Sequence, residues 1–340
     1  MALLEVKDLK TYFSTGDGVV KAVDGVSFSI EKGETLGIVG ESGSGKSVTC
    51  LTIMGLNAKR NTISSGQALF KGEDLLTAKP SRLRELRGNE IAMIFQDPMT
   101  SLNPVHAVGK QLVEAVQLHS DLSKQQARGR ALELLKQVGI PRADRRIDDY
   151  PHQFSGGMRQ RVMIAMSLIN NPDLLIADEP TTALDVTTQA QILALIERLQ
   201  AEYNSAVIMI THDLGVVAEI ADDIVVMYAA EVVEGGSVDD IFHSPHHPYT
   251  WGLMGSLPRL NADVERLAQI SGQPPSLLRP PSGCRFHPRC PYVMDICRTV
   301  DPELKPTPGD AAHLQACHLD EATKEQEAAR LLGAVSGVSS

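Results

Sequence analysis

The chain has 340 residues, of which 43% are hydrophobic, and a formal net charge of −10. This length allows one large domain with an appendage or two domains, and the apolar fraction is ample for a buried core. The negative charge argues against electrostatic binding of nucleic acid by the whole chain, and no stretch approaches the ~20 apolar residues of a transmembrane helix.

The N-terminal stretch begins MALLEVKDLK and lacks the cationic start and apolar core of a secretion signal, so we expect a cytosolic protein. From LLEVKDLKTYF to AVDGVSFSIEKG, apolar and polar residues alternate, which predicts antiparallel strands. Further along, short runs rich in Ile, Val and Leu have the composition of strands that are buried on both faces: TLGIVG, IAMIF, LLIAD and AVIMIT.

Helical patterns separate these runs. In LSKQQARGRALELLKQVGI, Ser123 and Gln126 form a possible capping box, and Leu132, Leu135 and Val138 fall on one face. Apolar strands that alternate with helices predict an α/β fold, in which helices cover a mostly parallel sheet.

The segment GESGSGKS, residues 40–47, matches the pattern of a phosphate-binding loop. Its small residues allow backbone N–H groups to turn inward around an anion at the positive end of the following helix. Lys46 would reach the β- and γ-phosphates, and Ser47 would ligate Mg²⁺. A glycine-rich turn with a surface lysine is the alternative, but the strand–loop–helix context favours phosphate. The nucleotide contacts predicted in the loop are Gly40, Ser42, Gly43, Gly45, Lys46 and Ser47.

Polar residues follow the apolar runs. Asp178 and Glu179 end LLIADE, where Asp178 would hold Mg²⁺ and Glu179 would orient or deprotonate water. Gln96 follows IAMIF, and His212 follows AVIMIT. Two solvated acids and a surface histidine are the alternative interpretation. Because ligands of open α/β sheets bind at the carboxyl ends of the strands, we expect these side chains at one edge.

YPHQFSGGMRQRV, residues 150–162, resembles the signature segment of ATP-binding-cassette (ABC) ATPases, which is usually LSGGQ and is FSGGM here. The ordered motifs extend the resemblance over residues 3 to about 240. It implies a P-loop NTPase core with an antiparallel β subdomain and a helical subdomain at about 98–158. It also implies that Phe13 stacks on adenine and that Gln96 is a Q-loop ligand of Mg²⁺. The remaining nucleotide contacts that it implies are Ser155, Gly156, Gly157 and Asp185, the last within a D-loop at 183–185.

In this family, ATP lies between two such domains. The resemblance therefore implies that hydrolysis needs Glu179 as catalytic glutamate, His212 as switch histidine and a signature segment from a partner. Phe154 and Met158 depart from the usual signature, so contacts at closure are expected to differ. Ala230 stands where related chains usually have glycine in a hairpin turn, and a positive φ there would cost roughly 1 kcal/mol.

Three stretches, at 92–104, 159–187 and 246–258, resemble the oligopeptide and dipeptide permease ATPases. This branch implies a peripheral subunit at the cytoplasmic face of the inner membrane that hydrolyses ATP to import peptides. The implied partners are a homologous second ATPase subunit in a heterodimer, two transmembrane permease subunits and an extracytoplasmic peptide-binding protein, without nucleic acid. Nickel and glutathione importers have similar ATPases. A soluble ABC ATPase and a non-hydrolysing scaffold are weaker alternatives, because the helical subdomain and the catalytic side chains are intact.

Proline becomes frequent near residue 245, which predicts a domain boundary near 258. We therefore expect an ABC nucleotide-binding domain at 1–258, a cysteine-containing extension at 259–320 and a mobile tail at 321–340. Cysteines in the extension follow a C-x5-C-x6-C-x19-C spacing: Cys284, Cys290, Cys297 and Cys317.

In a cytosolic protein these four cysteines favour a closed thiolate site for metal. Zinc sites usually contain tight C-x2-C pairs, which are missing here, whereas the longer gaps suit a 4Fe-4S cluster. The resemblance also implies a 4Fe-4S cluster. Zinc, free thiols and disulfides remain alternatives. Such a centre would serve as a structural staple in preference to a redox sensor, while Cys50 is expected to be a small buried side chain.

Overall fold

The computed structural model describes residues 2–97, 101–182, 184–256 and 270–336, and describes side chains as far as residue 330. The chain divides into two compact units. Unit 1 consists of Met1–Leu3, Ile30–Glu34 and Thr77–Ile210, and unit 2 consists of Leu4–Ser29, Thr35–Leu76 and Thr211–Ser340.

The elements alternate along the chain as the sequence predicts. The strands are β1 (Leu4–Thr15), β2 (Gly18–Ile30), β3 (Thr35–Val39), β4 (Thr62–Phe70), β5 (Glu73–Asp74), β6 (Ile91–Ile94), β7 (Leu174–Asp178), β8 (Ala206–Thr211), β9 (Asp223–Tyr228), β10 (Glu231–Ser237), β11 (Lys305–Thr307) and β12 (Asp310–Gln315). The α-helices are α1 (Lys46–Ile53), α2 (Pro80–Leu86), α3 (Val108–Gln117), α4 (Lys124–Gln137), α5 (Ala143–Arg146), α6 (Gly156–Leu168), α7 (Val186–Tyr203), α8 (Leu214–Ile220), α9 (Val238–His243), α10 (Pro248–Gly255) and α11 (Glu321–Ser336).

Unit 1 is built on parallel strands in the order β6–β7–β8. Every residue of these strands is buried, as expected for the apolar runs IAMI, LLIAD and AVIMIT. Ile94 pairs in register with Ala177, and Asp178 pairs with Ile210. The register therefore brings the residues that follow β6 and β7 to the same edge of the sheet.

Helix α4 begins with the predicted capping box. The Gln126 N–H donates to Ser123 Oγ at 3.3 Å, and the Ser123 N–H donates to Gln126 Oε1 at 3.0 Å. The predicted apolar face is partly wrong, because Leu132 is only half-buried while Leu134 is buried. The buried stripe passes through Ala127, Ala131, Leu134, Leu135 and Val138, which leaves Leu132 at its rim.

Unit 2 contains two sheets. One has the order β3–β9–β10–β12–β11, in which β3 and β9 are parallel and β9 and β10 form an antiparallel hairpin. The other has the order β2–β1–β4–β5, and the antiparallel pairing of β1 with β4 confirms the prediction for the N-terminal region. Aromatic residues from three separate parts of unit 2 share its core: Tyr228, Tyr249 and Phe286.

The hairpin between β9 and β10 turns through two alanines. Ala229 has φ 46° and Ala230 has φ 76°, so both occupy the left-handed region. The condition stated for Ala230 is therefore met, and its left-handed conformation carries the expected strain. Glycine or asparagine usually fills both central positions of such a turn, because a Cβ there costs roughly 1 kcal/mol or more.

Three boundaries predicted from the sequence remain: the end of the first domain, the start of the helical subdomain and the start of the tail. The predicted boundary at 258 lies outside the described residues, as do residues 98–100 at the start of the predicted helical subdomain. The tail predicted from 321 begins with α11, where Lys324 is buried and forms an ion pair of 2.7 Å with Glu321. Within the described parts of the chain, no helix combines the length and apolar character required to span a bilayer.

Candidate functional site

The phosphate loop leaves the fully buried strand β3 and leads directly into α1. Gly40 has φ 152° and Gly45 has φ 103°. A Cβ on Gly40 would lie 2.1 Å from the Met227 carbonyl oxygen, and a Cβ on Gly45 would lie 2.4 Å from the Ala22 carbonyl oxygen. Both positions therefore require glycine for conformation and for space. Between them, Ser42 and Gly43 are exposed at the tip of the loop.

Lys46 lies within the loop, with only 4% of the residue exposed. Its Nζ donates to the carbonyl oxygens of Gly40 at 2.6 Å and Glu41 at 3.0 Å. Ser47 follows in the first turn of α1 and is half-buried. The buried Ser44 Oγ has no hydrogen-bond partner among the described residues, which could not be predicted from the sequence. A cation, a helix N-terminus and a buried hydroxyl therefore meet at one loop, which suits a bound phosphate.

Asp178 and Glu179 end the central strand of unit 1. Asp178 closes β7 and is 5% exposed. Glu179 has φ 45°, a left-handed conformation that is uncommon for a non-glycine residue. Its N–H donates to the Ile210 carbonyl oxygen at 2.9 Å, which fixes this backbone against β8. Strained conformations of this kind concentrate at functional sites.

The Glu179 carboxylate is oriented by two neighbouring side chains. Gln96 Nε2 donates to Glu179 Oε2 at 2.9 Å, and Thr182 Oγ1 donates to the same oxygen at 2.7 Å. The structure therefore brings together Gln96 and Glu179, two predicted site residues that lie 83 positions apart. Thr182 was missed by the sequence analysis, because its role depends on the turn that follows Glu179.

The signature segment forms the start of α6. Ser155 is the N-cap residue, and its hydroxyl accepts from the Met158 N–H at 3.4 Å. Phe154 is buried beneath the Arg146 guanidinium, which lies 5.8 Å from the ring centroid. Gly156 is exposed at the first position of the helix. The departure from the usual leucine is therefore accommodated by a stacked arginine.

Two further contacts connect the signature helix with the rest of unit 1. Gln160 is buried in α6, and its Nε2 donates at 2.6 Å to the carbonyl oxygen of Pro180, the residue after Glu179. Gly157 is so close to α7 that a Cβ there would lie 3.0 Å from Thr188 Cγ2. A side chain at this position would crowd the start of α7. The contact of Gln160 could not be predicted from the sequence, since a glutamine within a helix has no distinctive spacing.

Asp185 caps α7. Its carboxylate accepts from the Thr188 N–H at 2.9 Å and from Thr188 Oγ1 at 2.8 Å. These hydrogen bonds lower the pKa of Asp185, so the side chain is charged at neutral pH. Ala183, the first residue of the predicted D-loop, lies outside the described residues.

Unit 2 contains the two other predicted contacts. His212 directly follows β8 and is exposed, while Asp213 caps α8 by accepting from the Gly215 N–H at 2.8 Å. Phe13 lies near the end of β1, opposite Thr62 of β4, and is half-buried. An exposed imidazole and a half-exposed ring both remain accessible to a ligand.

The extension cysteines lie in one region of unit 2. Burial, with a smaller contribution from the other three extension cysteines, raises the pKa of the Cys284 thiol to about 12. Burial likewise raises the pKa of Cys290 to about 11 and raises that of Cys317. Cys297 is buried nearby, and its carbonyl oxygen accepts from the Cys284 N–H at 2.9 Å.

Three of these thiols accept a backbone N–H from the residue two positions ahead. The donors are Phe286 for Cys284, Tyr292 for Cys290 and Leu319 for Cys317. Such bonds stabilise a thiolate. Yet the described residues include no group of three or more His, Cys, Asp or Glu side chains placed to hold a metal ion. The thiols as they stand therefore do not form the ligand set of a closed centre.

The lack of such a group among the described residues does not argue against Mg²⁺ binding. This ion retains several waters and is usually held by one or two carboxylates together with substrate phosphates. A cage of three protein side chains is therefore not required. Unit 1 offers a buried carboxylate at a strand end, Asp178, and unit 2 offers a hydroxyl in the first turn of α1, Ser47; each is a type of group that Mg²⁺ takes as a ligand.

Residues 23–182 match the ABC transporter family, and residues 233–297 match the C-terminal region of oligopeptide/dipeptide transporters. The chain is 54% identical over 316 residues to the oligopeptide transport ATP-binding protein OppD of Escherichia coli (strain K12), covering 93% of each chain. It is 55% identical over 309 residues to the dipeptide transport ATP-binding protein DppD of Lactococcus lactis subsp. cremoris (strain MG1363), covering 90% of this chain and 88% of that protein.

Among solved structures, the chain is similar to a dimeric bacterial ABC transporter cassette, MJ0796. The TM-score is 0.62 at 29% identity, over 69% of this chain and 98% of the cassette. Its post-hydrolysis state, bound to ADP and phosphate, gives the same TM-score at 28% identity. The chain belongs to the ABC transporter family, within the group of oligopeptide and dipeptide transport ATP-binding proteins.

Proposed function

We propose that this chain is the ATP-hydrolysing subunit of an importer for dipeptides or oligopeptides. The observation that carries the proposal is the match of residues 233–297 to the C-terminal region of oligopeptide/dipeptide transporters, in a chain that also matches ABC transporters. Import of nickel or glutathione, or a soluble role without a membrane partner, finds no support in these relatives.

The proposed chemistry follows from the side chains at the strand ends. The phosphate loop and Lys46 bind the triphosphate, while Ser47, Asp178 and Gln96 hold Mg²⁺. Glu179 is the general base for the attacking water, and the contacts from Gln96 and Thr182 fix its carboxylate. His212 contacts the γ-phosphate.

The remaining site residues are assigned to the nucleotide or to a second subunit. Phe13 stacks on adenine, and the Gly40–Gly45 loop residues surround the phosphates. In the partner's ATP site, the signature segment at Ser155–Gly157 supplies backbone and hydroxyl donors, with Asp185 alongside. One chain alone is accordingly a poor catalyst. We assign the positions on sequence motifs. The exposure of Ser155, Gly156 and Asp185 supports their assignment to a partner's site.

The proposed assembly contains a homologous second ATPase in a heterodimer, two transmembrane permease subunits and an extracytoplasmic peptide-binding protein. The chain would be peripheral, at the cytoplasmic face. Co-purification from the membranes of cells that make this chain, with partners identified by mass, tests the assembly. Loss of radiolabelled peptide uptake in cells that lack the chain tests the substrate. The proposal would be contradicted if the chain is purified from membranes without permease subunits and if cells that lack the chain take up peptide normally.

We further propose that Cys284, Cys290, Cys297 and Cys317 hold a 4Fe-4S cluster, with Zn²⁺ as the alternative, in an extension at about 259–320. The cysteine spacing and the three N–H contacts to thiols favour a metal site. One observation opposes a metal site: the thiols would have to move to complete a ligand set. Iron, zinc and sulfide contents of anaerobically purified protein test the proposal, and their joint absence would contradict it. Proteolysis of Cys284→Ser and Cys290→Ser variants tests a structural role.

A further inference from the structure

Glu41 is an acidic residue inside a loop that is built to bind anions. It is the second residue of GESGSGKS, and its carboxylate is 28% exposed. Like charges a few ångströms apart repel strongly where the local dielectric is low. An uncompensated carboxylate here would therefore oppose phosphate binding, and its charge has to be balanced nearby.

Arg289 supplies that balance from the cysteine-bearing region. Its Nη1 donates to Glu41 Oε2 at 2.5 Å, and its Nη2 donates to Glu41 Oε1 at 2.9 Å. This two-point geometry is the strongest that an arginine forms with a carboxylate. The Arg289 side chain is only 4% exposed, so the guanidinium is shielded from solvent while Glu41 remains partly exposed.

The guanidinium is itself held in place by other partners. Nε donates to the Ser271 carbonyl oxygen at 3.0 Å, Nη2 to the Ile270 carbonyl oxygen at 3.3 Å, and Nη1 to Tyr228 Oη at 3.3 Å. Its position is therefore fixed independently of Glu41. A fixed cation can orient the more exposed acid of the loop.

A second connection reaches the backbone of the same loop residue. The Glu41 N–H donates to Tyr249 Oη at 2.8 Å. The Tyr249 ring is fully buried, with its centroid 5.4 Å from that of Phe286. Phe286 lies between Cys284 and Cys290 in the sequence, so the segment that contains Arg289 also packs against the tyrosine that binds Glu41.

A third connection passes through the two-alanine turn. Arg285 Nη1 donates to the Ala229 carbonyl oxygen at 2.6 Å. The Ala230 N–H in turn donates to the carbonyl oxygen of Ser44, in the phosphate loop, at 2.9 Å. The strained turn is thus fixed on one side by Arg285 and hydrogen-bonds the loop on the other.

We propose that Arg289 is a positioning residue for nucleotide binding, which neutralises Glu41 and, with the rest of segment 284–290, holds the phosphate loop in its binding shape. The inference rests on the proposed function, because it assumes that the loop binds ATP. It assigns the cysteine-bearing segment a role in nucleotide affinity that does not depend on whether a metal is bound.

The test is a titration of the full-length chain with Mg·ATP. Arg289→Gln shortens the side chain but keeps an N–H donor near the position of Nε, which can still reach the Ser271 carbonyl, and it removes the charge and the two Nη donors. We expect its Kd to rise about tenfold, since small displacements of a positioning group have large effects. Adding Glu41→Gln to this variant removes the uncompensated carboxylate and should restore most of the affinity, which a general folding defect would not allow.

Arg298→Gln is the matched control, because Arg298 also adjoins a cysteine but is exposed. Its Kd should equal that of the wild type. An unchanged Kd for Arg289→Gln would overturn the inference, and so would a double variant that binds as weakly as the single one. Lys46→Ala separates the two proposals: if it also binds Mg·ATP normally, the proposed function fails as well. If Arg289→Gln does not fold, Arg289→Lys, with a smaller expected rise, replaces it in the same comparison.

Discussion

The two units fix their functional acids in different ways. In unit 1, Glu179 is oriented by Thr182, three positions away, and by Gln96, which follows a strand of the same sheet. In unit 2, Glu41 is fixed by Tyr249 and Arg289, which lie 208 and 248 positions further along the chain. Glu179 therefore depends on side chains of neighbouring motifs, whereas the phosphate loop depends on a distant segment that belongs to none of them.

This difference has a consequence for mutagenesis. Changes around Glu179 should alter the rate of hydrolysis and leave nucleotide affinity intact. Changes around Glu41 should alter affinity and stability, even when they lie far from the loop in sequence. The following predictions test this separation.

The largest effect is expected from Glu179→Gln. The amide keeps an acceptor for Gln96 and Thr182 but cannot take a proton, so hydrolysis by the assembled transporter should fall about 10²- to 10⁴-fold. The Kd for Mg·ATP should remain near that of the wild type, as measured by calorimetry. If turnover is unchanged, Glu179 is not the base; if affinity collapses, the two units are not separable in this way.

Tyr249→Phe should lower stability by about 1–3 kcal/mol, because the Glu41 N–H loses its acceptor. It should also weaken Mg·ATP binding. The control is Tyr203→Phe in unit 1, where the hydroxyl contacts Gln137 at an exposed position, with an expected change within about 0.5 kcal/mol. Urea unfolding measures both variants. Equal losses of unfolding free energy in Tyr249→Phe and Tyr203→Phe would contradict a special role for Tyr249.

His247 should make unit 2 sensitive to acid. It is buried as the N-cap residue of α10, where its Nδ1 accepts from the Tyr249 N–H at 3.0 Å. Burial lowers its pKa to about 4. The unfolded chain, with a pKa of about 6.5, therefore binds more protons between these values, so stability is full above pH ~6.5 and falls as the pH drops towards 4.

At pH 5.5 this loss should be about 1 kcal/mol relative to pH 7.5. His247→Asn keeps an N-cap acceptor without a titratable ring, so its pH dependence should be flatter by that amount. Urea midpoints at the two pH values measure the difference. Parallel pH profiles for the variant and the wild type would show that His247 does not contribute.

The smallest effect is expected at the two-alanine turn. Ala230→Gly removes roughly 1 kcal/mol of left-handed strain but also loses a buried methyl group, worth about 0.8 kcal/mol. We expect a net change within about 0.5 kcal/mol in thermal unfolding. Ala230→Leu keeps the left-handed conformation and adds a bulkier side chain, so the variant should be clearly less stable than the wild type. A large gain in stability for Ala230→Gly would mean that the Ala230 methyl group packs poorly.

Much of the fold was predictable because its determinants are local. The buried strands and the Ser123–Gln126 capping box each follow from a few adjacent residues. The contact between Gln96 and Glu179 followed from the register of parallel strands. Leu132 was misplaced at the rim of its helix, since the pattern alone does not fix where the buried stripe is centred.

The supports of the phosphate loop were not predictable from motifs. Glu41 offered a signal, because an acid within an anion-binding loop requires a cation nearby. Nothing in the sequence indicates that this cation is Arg289, as the pairing depends on the path of the chain through unit 2. The cysteine spacing predicts a metal site from Cys284 to Cys317, whereas Arg289 in the same region contacts Glu41 of the phosphate loop and Arg285 contacts the two-alanine turn.

We propose above that residues 40–47 bind a nucleoside triphosphate. Calorimetric titration of the full-length chain with Mg·ATP, beside Lys46→Ala, tests it most directly. We expect saturable binding by the wild type and a loss of about tenfold or more in affinity for the variant, since one charge-assisted phosphate contact contributes roughly 1.5–3 kcal/mol. Equal affinity in the two proteins, or no binding by either, would contradict it.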